Sequence, residues 1–190
     1  HNINESDIMN LNKVLRALLI TTAGVTGKFE KRFAGYLKSK HAIGVNSCTN
    51  ALFLSLLALN IGPGDEVITT PLTFYATANA ILYIGAKPVF VDVERETGLI
   101  DPLLIEKAIT KKTKAIIPVH LYGQMCDMKS INSIAQAHNL KVIEDAALCI
   151  EGERDGIRPG QLSNSACFSF HAIKSITSGE GGAIAVNDSE

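Results

Sequence analysis

The chain has 190 residues, of which 46% are hydrophobic and 19% are charged, and its formal net charge is −1. This length is sufficient for one domain with a sizeable core, and the near-zero charge offers no electrostatic footprint for nucleic acid or an anionic membrane. No apolar run approaches the roughly 18 residues of a transmembrane helix, and the polar N-terminus shows no signal peptide. The four cysteines are far apart and form no C-x-x-C pair, which predicts reduced thiols in a cytoplasmic protein without a metal site.

From residue 41 onward, β-like and helical patterns alternate along the chain. The β-like runs are 41–47, 67–70, 87–94, 114–121, 140–145, 166–170 and 181–186. The helical patterns are 49–60, 73–85, 101–110 and 127–139. Strands that lack period-2 alternation and are separated by helices predict a three-layer α/β/α fold with a mostly parallel sheet of about seven strands. We expect residues 1–40 to form an N-terminal helical segment and residues 41–190 a large cofactor-binding domain.

Ligands of such open sheets bind beyond the carboxyl ends of the strands, so the residues that follow each strand are the candidates. Ser47, Cys48 and Thr49 open the apolar helix after the first strand. Free backbone N–H groups and the helix dipole favour an anion such as phosphate there, although a simple N-cap explains Ser and Thr equally well. Phe74 and Tyr75 follow the second strand, where an aromatic ring either stacks on a planar ligand or belongs to the core.

Ionisable side chains follow the later strands. Adjacent strand residues point to opposite faces, so only one of Glu144 and Asp145 can face the ligand edge. A carboxylate at that edge either binds a ring nitrogen, a metal or a ribose hydroxyl, or caps a helix. His171 and Lys174 follow the run "ACFSF"; each is, taken alone, more often a structural or solvated residue. The "GEGG" run precedes a strand and lacks the Gly-x-Gly-x-x-Gly pattern, which disfavours a Rossmann phosphate loop. Together, a phosphate site, an aromatic face, a carboxylate and a lysine are the groups that pyridoxal phosphate (PLP) requires.

The sequence resembles the DegT/StrS-type PLP-dependent sugar-nucleotide aminotransferases, which are fold-type-I aminotransferases. The resemblance extends from "KFEKRFAGYL" to the end of the chain and is carried by "GPGDEVITTPLTFYATANAI", "AKPVFVDV", "TKAIIPVHLYGQ", "VIEDAA" and "SFHAIKSITSGEGG", in the family's order and spacing. It implies that Lys174 forms a Schiff base with the cofactor, that Asp145 pairs with the pyridine nitrogen, and that Phe74 stacks on the ring. An unperturbed aspartate has a pKa of about 3.9, so Asp145 is expected to be anionic and to keep that nitrogen protonated.

The resemblance also implies how the rest of the site is built. The backbone at Cys48 and Thr49 and the hydroxyl of Ser169 would hold the phosphate; Cys48 stands where the family usually has Gly or Ala, but the contact is through the backbone. The residues assigned to the sugar substrate are Thr21, Thr22 and His171.

The function implied by the resemblance is transamination of a nucleotide-linked keto-deoxysugar, with glutamate as the amino donor, in the biosynthesis of cell-surface polysaccharide or related sugars. Freed Lys174 would move the proton from the donor. The implied assembly is a cytoplasmic homodimer with shared active sites. Family members are about twice this length, so we expect a C-terminal small domain to be absent from this chain.

Some positions depart from the family pattern. Leu148 stands where the family usually has His or Gln, which removes a polar contact to the cofactor's edge; Ser175 replaces a common Asn and Ala23 a common Gly. Leu148 and the short chain motivate a second hypothesis, a non-catalytic PLP-binding or regulatory protein or an inactive remnant, against which the retained Lys174 and Asp145 weigh. A third hypothesis, a plain nucleotide-binding α/β domain, is disfavoured by the missing glycine fingerprint. Some relatives carry His at the lysine position and act as dehydratases, and Lys174 argues against that branch.

Overall fold

The computed structural model describes residues 2–19 and 24–187. Within them, the strands are β1 (His41–Val45), β2 (Glu66–Thr69), β3 (Lys87–Phe90), β4 (Thr113–Ile117), β5 (Lys141–Asp145), β6 (Ser165–Ser169) and β7 (Gly182–Val186). The α-helices are α1 (Glu5–Leu15), α2 (Gly24–Leu37), α3 (Cys48–Ala58), α4 (Ala76–Tyr83), α5 (Pro102–Ala108) and α6 (Met128–Ala137). None of the helices in these ranges is long and apolar enough to cross a membrane.

One sheet contains all seven strands, in the order β1-β7-β6-β5-β4-β2-β3. Strands β2 to β6 pair in parallel, and β7 is antiparallel to both of its neighbours, β1 and β6. The prediction of a mostly parallel sheet of about seven strands in an α/β fold is therefore confirmed.

Side chains alternate between two hydrophobic cores, one on each face of the sheet. Ile117 and Ile143 belong to the core under α3 and α4. Their neighbours Ile116 and Val142 belong to the core under α2, α5 and α6. Because both faces are covered by helices, the inner strands β2, β4, β5 and β6 have consecutive buried residues and show no period-2 pattern of burial.

Several elements are shorter than their sequence patterns. Strand β4 ends at Ile117, before Pro118, which has no N–H to donate to a ladder. Helix α4 begins at Ala76, three residues later than predicted. Helix α5 begins as its Asp-Pro sequence predicts: Asp101 accepts the N–H of Leu103 at 2.8 Å, and proline occupies the first helical position.

Candidate active site

A cavity of about 500 Å³ opens at the carboxyl edge of the sheet, a volume typical of small-molecule sites. Its walls come from the segments that follow β1, β2, β4, β5 and β6. Seven of the residues that the sequence assigned to cofactor or substrate line it: Cys48, Thr49, Phe74, Asp145, Ser169, His171 and Lys174. Thr21 and Thr22 lie outside the described residues. The structure brings the seven together, while the role of each stays a prediction.

The start of α3 forms one wall of this cavity. Ser47 is its N-cap, and the Ser47 hydroxyl accepts the N–H of Asn50 at 3.2 Å, so the capping interpretation holds for this residue. The amides of Cys48 and Thr49 occupy the first helical turn, where N–H groups have no intrahelical acceptor and the dipole is positive. Capping and anion binding are therefore compatible at this helix terminus.

Gly182 allows β7 to pass close to the start of α3. A Cβ atom added there would lie 2.5 Å from the Ser47 carbonyl carbon and 2.7 Å from the Cys48 nitrogen, so no side chain fits without a backbone shift. Gly182 pairs with Ser169 across β6 and β7. This close approach places the Ser169 hydroxyl and the α3 amides along one rim of the cavity.

Of the two adjacent carboxylates, Asp145 faces the cavity. It is only 5% exposed. Thr77 in α4 donates its hydroxyl to Oδ2 at 2.7 Å, and the Ala147 amide donates to Oδ1 at 3.2 Å. Burial raises the pKa of Asp145 above its usual value, although both hydrogen bonds oppose the shift. The ordinary pKa assumed from the sequence does not apply to the protein alone, and a cation in the cavity would favour the carboxylate.

Lys174 lies in the loop between β6 and β7. Its amide donates to the His171 carbonyl at 2.9 Å, which closes a turn at the end of β6. The His171 ring and the Glu180 carboxylate are 3.5 Å apart and join the two ends of the loop. The Phe170 carbonyl also accepts the Ser178 amide at 3.0 Å. These bonds hold the half-buried Lys174 side chain at the cavity wall.

Apolar side chains complete the cavity. Phe74 is 65% exposed, so the alternative that it belongs to the core is wrong; its ring centroid lies 4.0 Å from that of Tyr75. Leu148 also lines the cavity, and there it presents carbon atoms where the family pattern has a polar side chain. The wall at this position therefore favours an apolar part of a ligand.

Sequence reasoning missed Thr77, Gly182 and Tyr122. Thr77 is one threonine of a helical pattern, and Gly182 was assigned only to a strand. Tyr122 lines the cavity mouth, is 82% exposed and has a left-handed backbone at φ 53°. The Tyr-Gly pair in "HLYGQ" was the available signal for a turn, but it did not indicate a site.

The side chains present fit PLP. The cavity combines a helix N-terminus for a phosphate, a buried carboxyl group that forms no ion pair within the part of the chain that the structure describes, a lysine amine and an exposed aromatic face. Across the described ranges 2–19 and 24–187, no cluster of three or more His, Cys, Asp or Glu side chains is arranged for a metal ion.

Comparison with known proteins relates this site to others. The chain is 45% identical over 188 residues to the spore coat polysaccharide biosynthesis protein SpsC of Bacillus subtilis, covering 99% of this chain and 48% of SpsC. It is 52% identical over 163 residues to the GDP-perosamine synthase of Caulobacter vibrioides, covering 86% of this chain and 44% of the synthase. Thus the chain spans about half the length of these curated relatives.

A solved structure gives the same result for the fold. The PLP form of a Streptococcus pneumoniae protein named as a sugar aminotransferase superposes with a TM-score of 0.93 at 35% identity, covering 98% of this chain and 52% of that one. The same protein has also been solved in its pyridoxamine phosphate form. These structures confirm the fold class and the cofactor predicted from the sequence. Since the family's sequence model also matches residues 1–190, the chain belongs to the DegT/DnrJ/EryC1/StrS aminotransferase family.

Proposed function

We propose that the protein acts in PLP-dependent transamination of a nucleotide-linked keto-deoxysugar, with glutamate as the amino donor, for the biosynthesis of cell-surface polysaccharide or related sugars. The observation that carries the proposal is that Lys174, Asp145 and the start of α3 meet in one cavity of about 500 Å³. The similarity to a GDP-perosamine synthase and to a polysaccharide biosynthesis protein supports the substrate class. In this proposal residues 41–190 are the cofactor-binding part and residues 1–40 an N-terminal helical segment.

The residues of the cavity would divide the binding of the cofactor among them. The amides of Cys48 and Thr49 and the Ser169 hydroxyl would hold the phosphate, where the helix dipole favours negative charge. Asp145, oriented by Thr77 and Ala147, would accept a hydrogen bond from the protonated ring nitrogen. The exposed ring of Phe74 would stack on the cofactor ring.

When bound, PLP supplies the electron sink for the pair that remains when the Cα–H bond of the amino donor breaks. Lys174 Nζ would hold the cofactor covalently until the donor amine displaces it. The freed Nζ would then take the proton from the donor Cα, and general base help of this kind is typically worth about 10²–10⁴-fold in rate. Asp145 would keep the ring nitrogen protonated during this step.

The proposed assembly is a cytoplasmic homodimer. Three exposed apolar side chains line the cavity, Phe74, Tyr122 and Ile173, and the exposed Leu72 and Ile176 are two residues from Phe74 and Lys174 in the chain. A cluster of exposed apolar side chains marks a surface that another molecule covers, and a second copy is the commonest partner. The four buried free cysteines fit a reducing compartment. Light scattering coupled to gel filtration should give twice the monomer mass.

The first test is covalent labelling. Borohydride reduction of the protein with PLP, followed by peptide mapping, should place the label on Lys174, and Lys174→Ala should abolish it. Lys114→Ala is the matched control, because Lys114 is an exposed lysine near the N-terminal end of β4, away from the carboxyl edge of the sheet. A label spread over surface lysines, or one that survives in Lys174→Ala, would contradict the proposal.

The second test separates an aminotransferase from a non-catalytic PLP-binding or regulatory protein, the alternative that Leu148 favours. Glutamate should bleach the absorption band of the lysine-bound cofactor. Asp145→Asn should retain the cofactor and lose most of this reaction. A protein that binds PLP at Lys174 but does not respond to glutamate supports the non-catalytic alternative.

A further inference from the structure

A second carboxylate, Glu144, is buried directly behind the cavity. It precedes Asp145 in β5, points to the opposite face of the sheet and is 1% exposed. Its Oε1 accepts the Gly160 amide at 2.8 Å and the Ser163 hydroxyl, and its Oε2 lies 2.6 Å from His120 Nε2. The Gly160 amide and the Ser163 hydroxyl both donate to it, which favours a negative charge at this position.

The other nitrogen of His120 decides which way the His120–Glu144 hydrogen bond runs. Nδ1 accepts the Cys126 amide at 3.1 Å, so Nε2 carries the proton that is donated to Glu144. Burial lowers the pKa of His120, but its hydrogen bonds with Cys126 and Glu144 and the charge of Glu144 raise it above its ordinary value. His120 is as deeply buried as Glu144. The negative charge of Glu144 is therefore held in the core by donors from two other segments of the chain, 118–126 and 158–163.

The same segment that holds Glu144 also holds Asp145. The His120 amide donates to the Asp145 carbonyl at 3.0 Å, and the Asp145 amide donates to the Pro118 carbonyl at 2.9 Å. Buried ionic groups are often no more stabilising than well-packed apolar residues of the same size, so fold stability alone does not explain a buried carboxylate at this position. The position of Glu144 gives a better explanation, because it lies one residue from Asp145 in an interior that screens charge weakly.

We propose that Glu144 is a positioning residue that acts through Asp145, its buried negative charge retaining the proton that Asp145 shares with a ring nitrogen in the cavity. The part that concerns the ring nitrogen rests on the proposed function. The effect of Glu144 on Asp145 itself does not, because it requires only the protein.

Few other groups can change charge near these two carboxylates. Among the described residues, the titratable side chains that interact with them are Cys48, His120, Cys149, Cys167 and Lys174. Burial raises the pKa of the Cys48 and Cys167 thiols and raises that of Cys149 to about 12, so these three stay neutral near pH 7. Burial raises the pKa of Asp145, the charges of His120 and Lys174 lower it, and Glu144 is the anion behind Asp145.

The decisive experiment is a ¹³C NMR titration of the Asp145 carboxyl in the protein without cofactor, with the signal assigned by Asp145→Asn. In Glu144→Gln the midpoint should move down by about one pH unit, the order expected for two charges several ångströms apart at an effective dielectric constant of about 20. Glu144→Asp keeps the charge and should keep the midpoint. Glu66→Gln makes the same chemical change at a carboxylate that is buried at the other end of the sheet, and it should leave Asp145 unaffected.

A second readout uses the loaded protein. The pH at which the absorption of bound PLP changes should fall in Glu144→Gln and stay near the wild-type value in Glu144→Asp. Equal shifts in both variants would show a packing role alone and overturn the proposal, as would an unshifted Asp145 midpoint in Glu144→Gln. If PLP does not attach to Lys174, the proposed function fails while the NMR titration still decides this inference.

A third variant covers the case in which Glu144→Gln does not fold. Ser163→Ala leaves the Glu144 carboxylate in place and removes one of the donors that offset its negative charge. The Asp145 midpoint should then rise, in the direction opposite to Glu144→Gln. A lowered midpoint in folded Ser163→Ala would overturn the proposal.

Discussion

Thr77 offers the sharpest test of how the fold prepares Asp145. Its side chain is fully buried in α4, and its Oγ1 lies 2.7 Å from Asp145 Oδ2. A hydroxyl has one proton, and the carboxylate is the nearest acceptor for it, so Thr73 donates its own hydroxyl to Thr77 Oγ1 at 2.8 Å. Thr77→Val keeps the shape of the side chain and removes the donor to Asp145.

The magnitude follows from the charge of the acceptor. A hydrogen bond to a charged group contributes about 1.5–3 kcal/mol, which corresponds to roughly 10- to 150-fold in PLP affinity near pH 7. Burial raises the pKa of Asp145 and the Thr77 hydrogen bond lowers it, so valine should raise this pKa further. The carboxylate that pairs with the ring nitrogen is then lost at a higher pH. The affinity loss should therefore grow as the pH falls and shrink as it rises.

The assay is an absorbance titration with PLP at several pH values between about 6 and 9. Thr77→Ser keeps the hydroxyl and should bind nearly as wild type does. Thr69→Val is the matched control, because Thr69 is an equally buried threonine that donates to the Ile117 carbonyl at 2.9 Å and not to Asp145. A Kd for Thr77→Val within twofold of wild type at every pH, or an equal loss in Thr69→Val, would refute the reasoning.

Three further predictions concern other parts of the fold. Gly182→Ala should lower both the Tm and the PLP affinity, because its Cβ would meet the start of α3. Gly35→Ala in α2, where nothing lies within 4 Å of an added Cβ, should leave the Tm unchanged or raise it slightly in differential scanning calorimetry. Equal effects of the two substitutions would contradict this reasoning. Burial raises the pKa of Cys149 to about 12, so a thiol reagent at pH 8 should modify Cys149 only after unfolding, and rapid labelling of the folded protein would contradict it. Hydrogen bonds from Thr110 and Lys87 hold the pKa of Glu66 below its ordinary value. Its contribution to stability is therefore present above the ordinary carboxyl pKa and is lost as the pH falls through the lowered pKa of the folded state. In urea unfolding, the difference in unfolding free energy between wild type and Glu66→Gln should narrow on acidification.

The sequence predicted the strands because a sheet that is buried on both faces requires continuous apolar runs. The direction of β7 was not assigned, since "GGAIAV" is equally apolar in either direction. The information was in the connection: residues 170–181 contain no helical pattern, and a parallel neighbour requires a crossover of a dozen or more residues, usually with a helix. β7 therefore returns antiparallel beside β6.

The candidate site was predictable where it depends on strand ends. Asp145, Ser169 and Lys174 each follow or end a strand, so their meeting at one edge follows from the parallel order. Thr77 could not be found in this way, because its bond to Asp145 joins residues 68 apart, and nothing in a helical pattern distinguishes one threonine from the next. Gly182 likewise depends on the distance between two backbones, which no local pattern encodes.

Glu144 and Asp145 are adjacent in β5, and the alternation of side chains along a strand places them on opposite faces of the sheet. From the sequence, the two carboxylates were competing candidates for one place at the ligand edge. In the structure each has its own place: Asp145 meets α4 and the cavity, and Glu144 meets His120 and Ser163 on the other face. Under the proposal for Glu144, the core on the far side of the sheet is electrostatically part of the site, because one peptide unit joins the two carboxylates. Substitutions in that core should therefore alter how Asp145 titrates even where they touch nothing in the cavity.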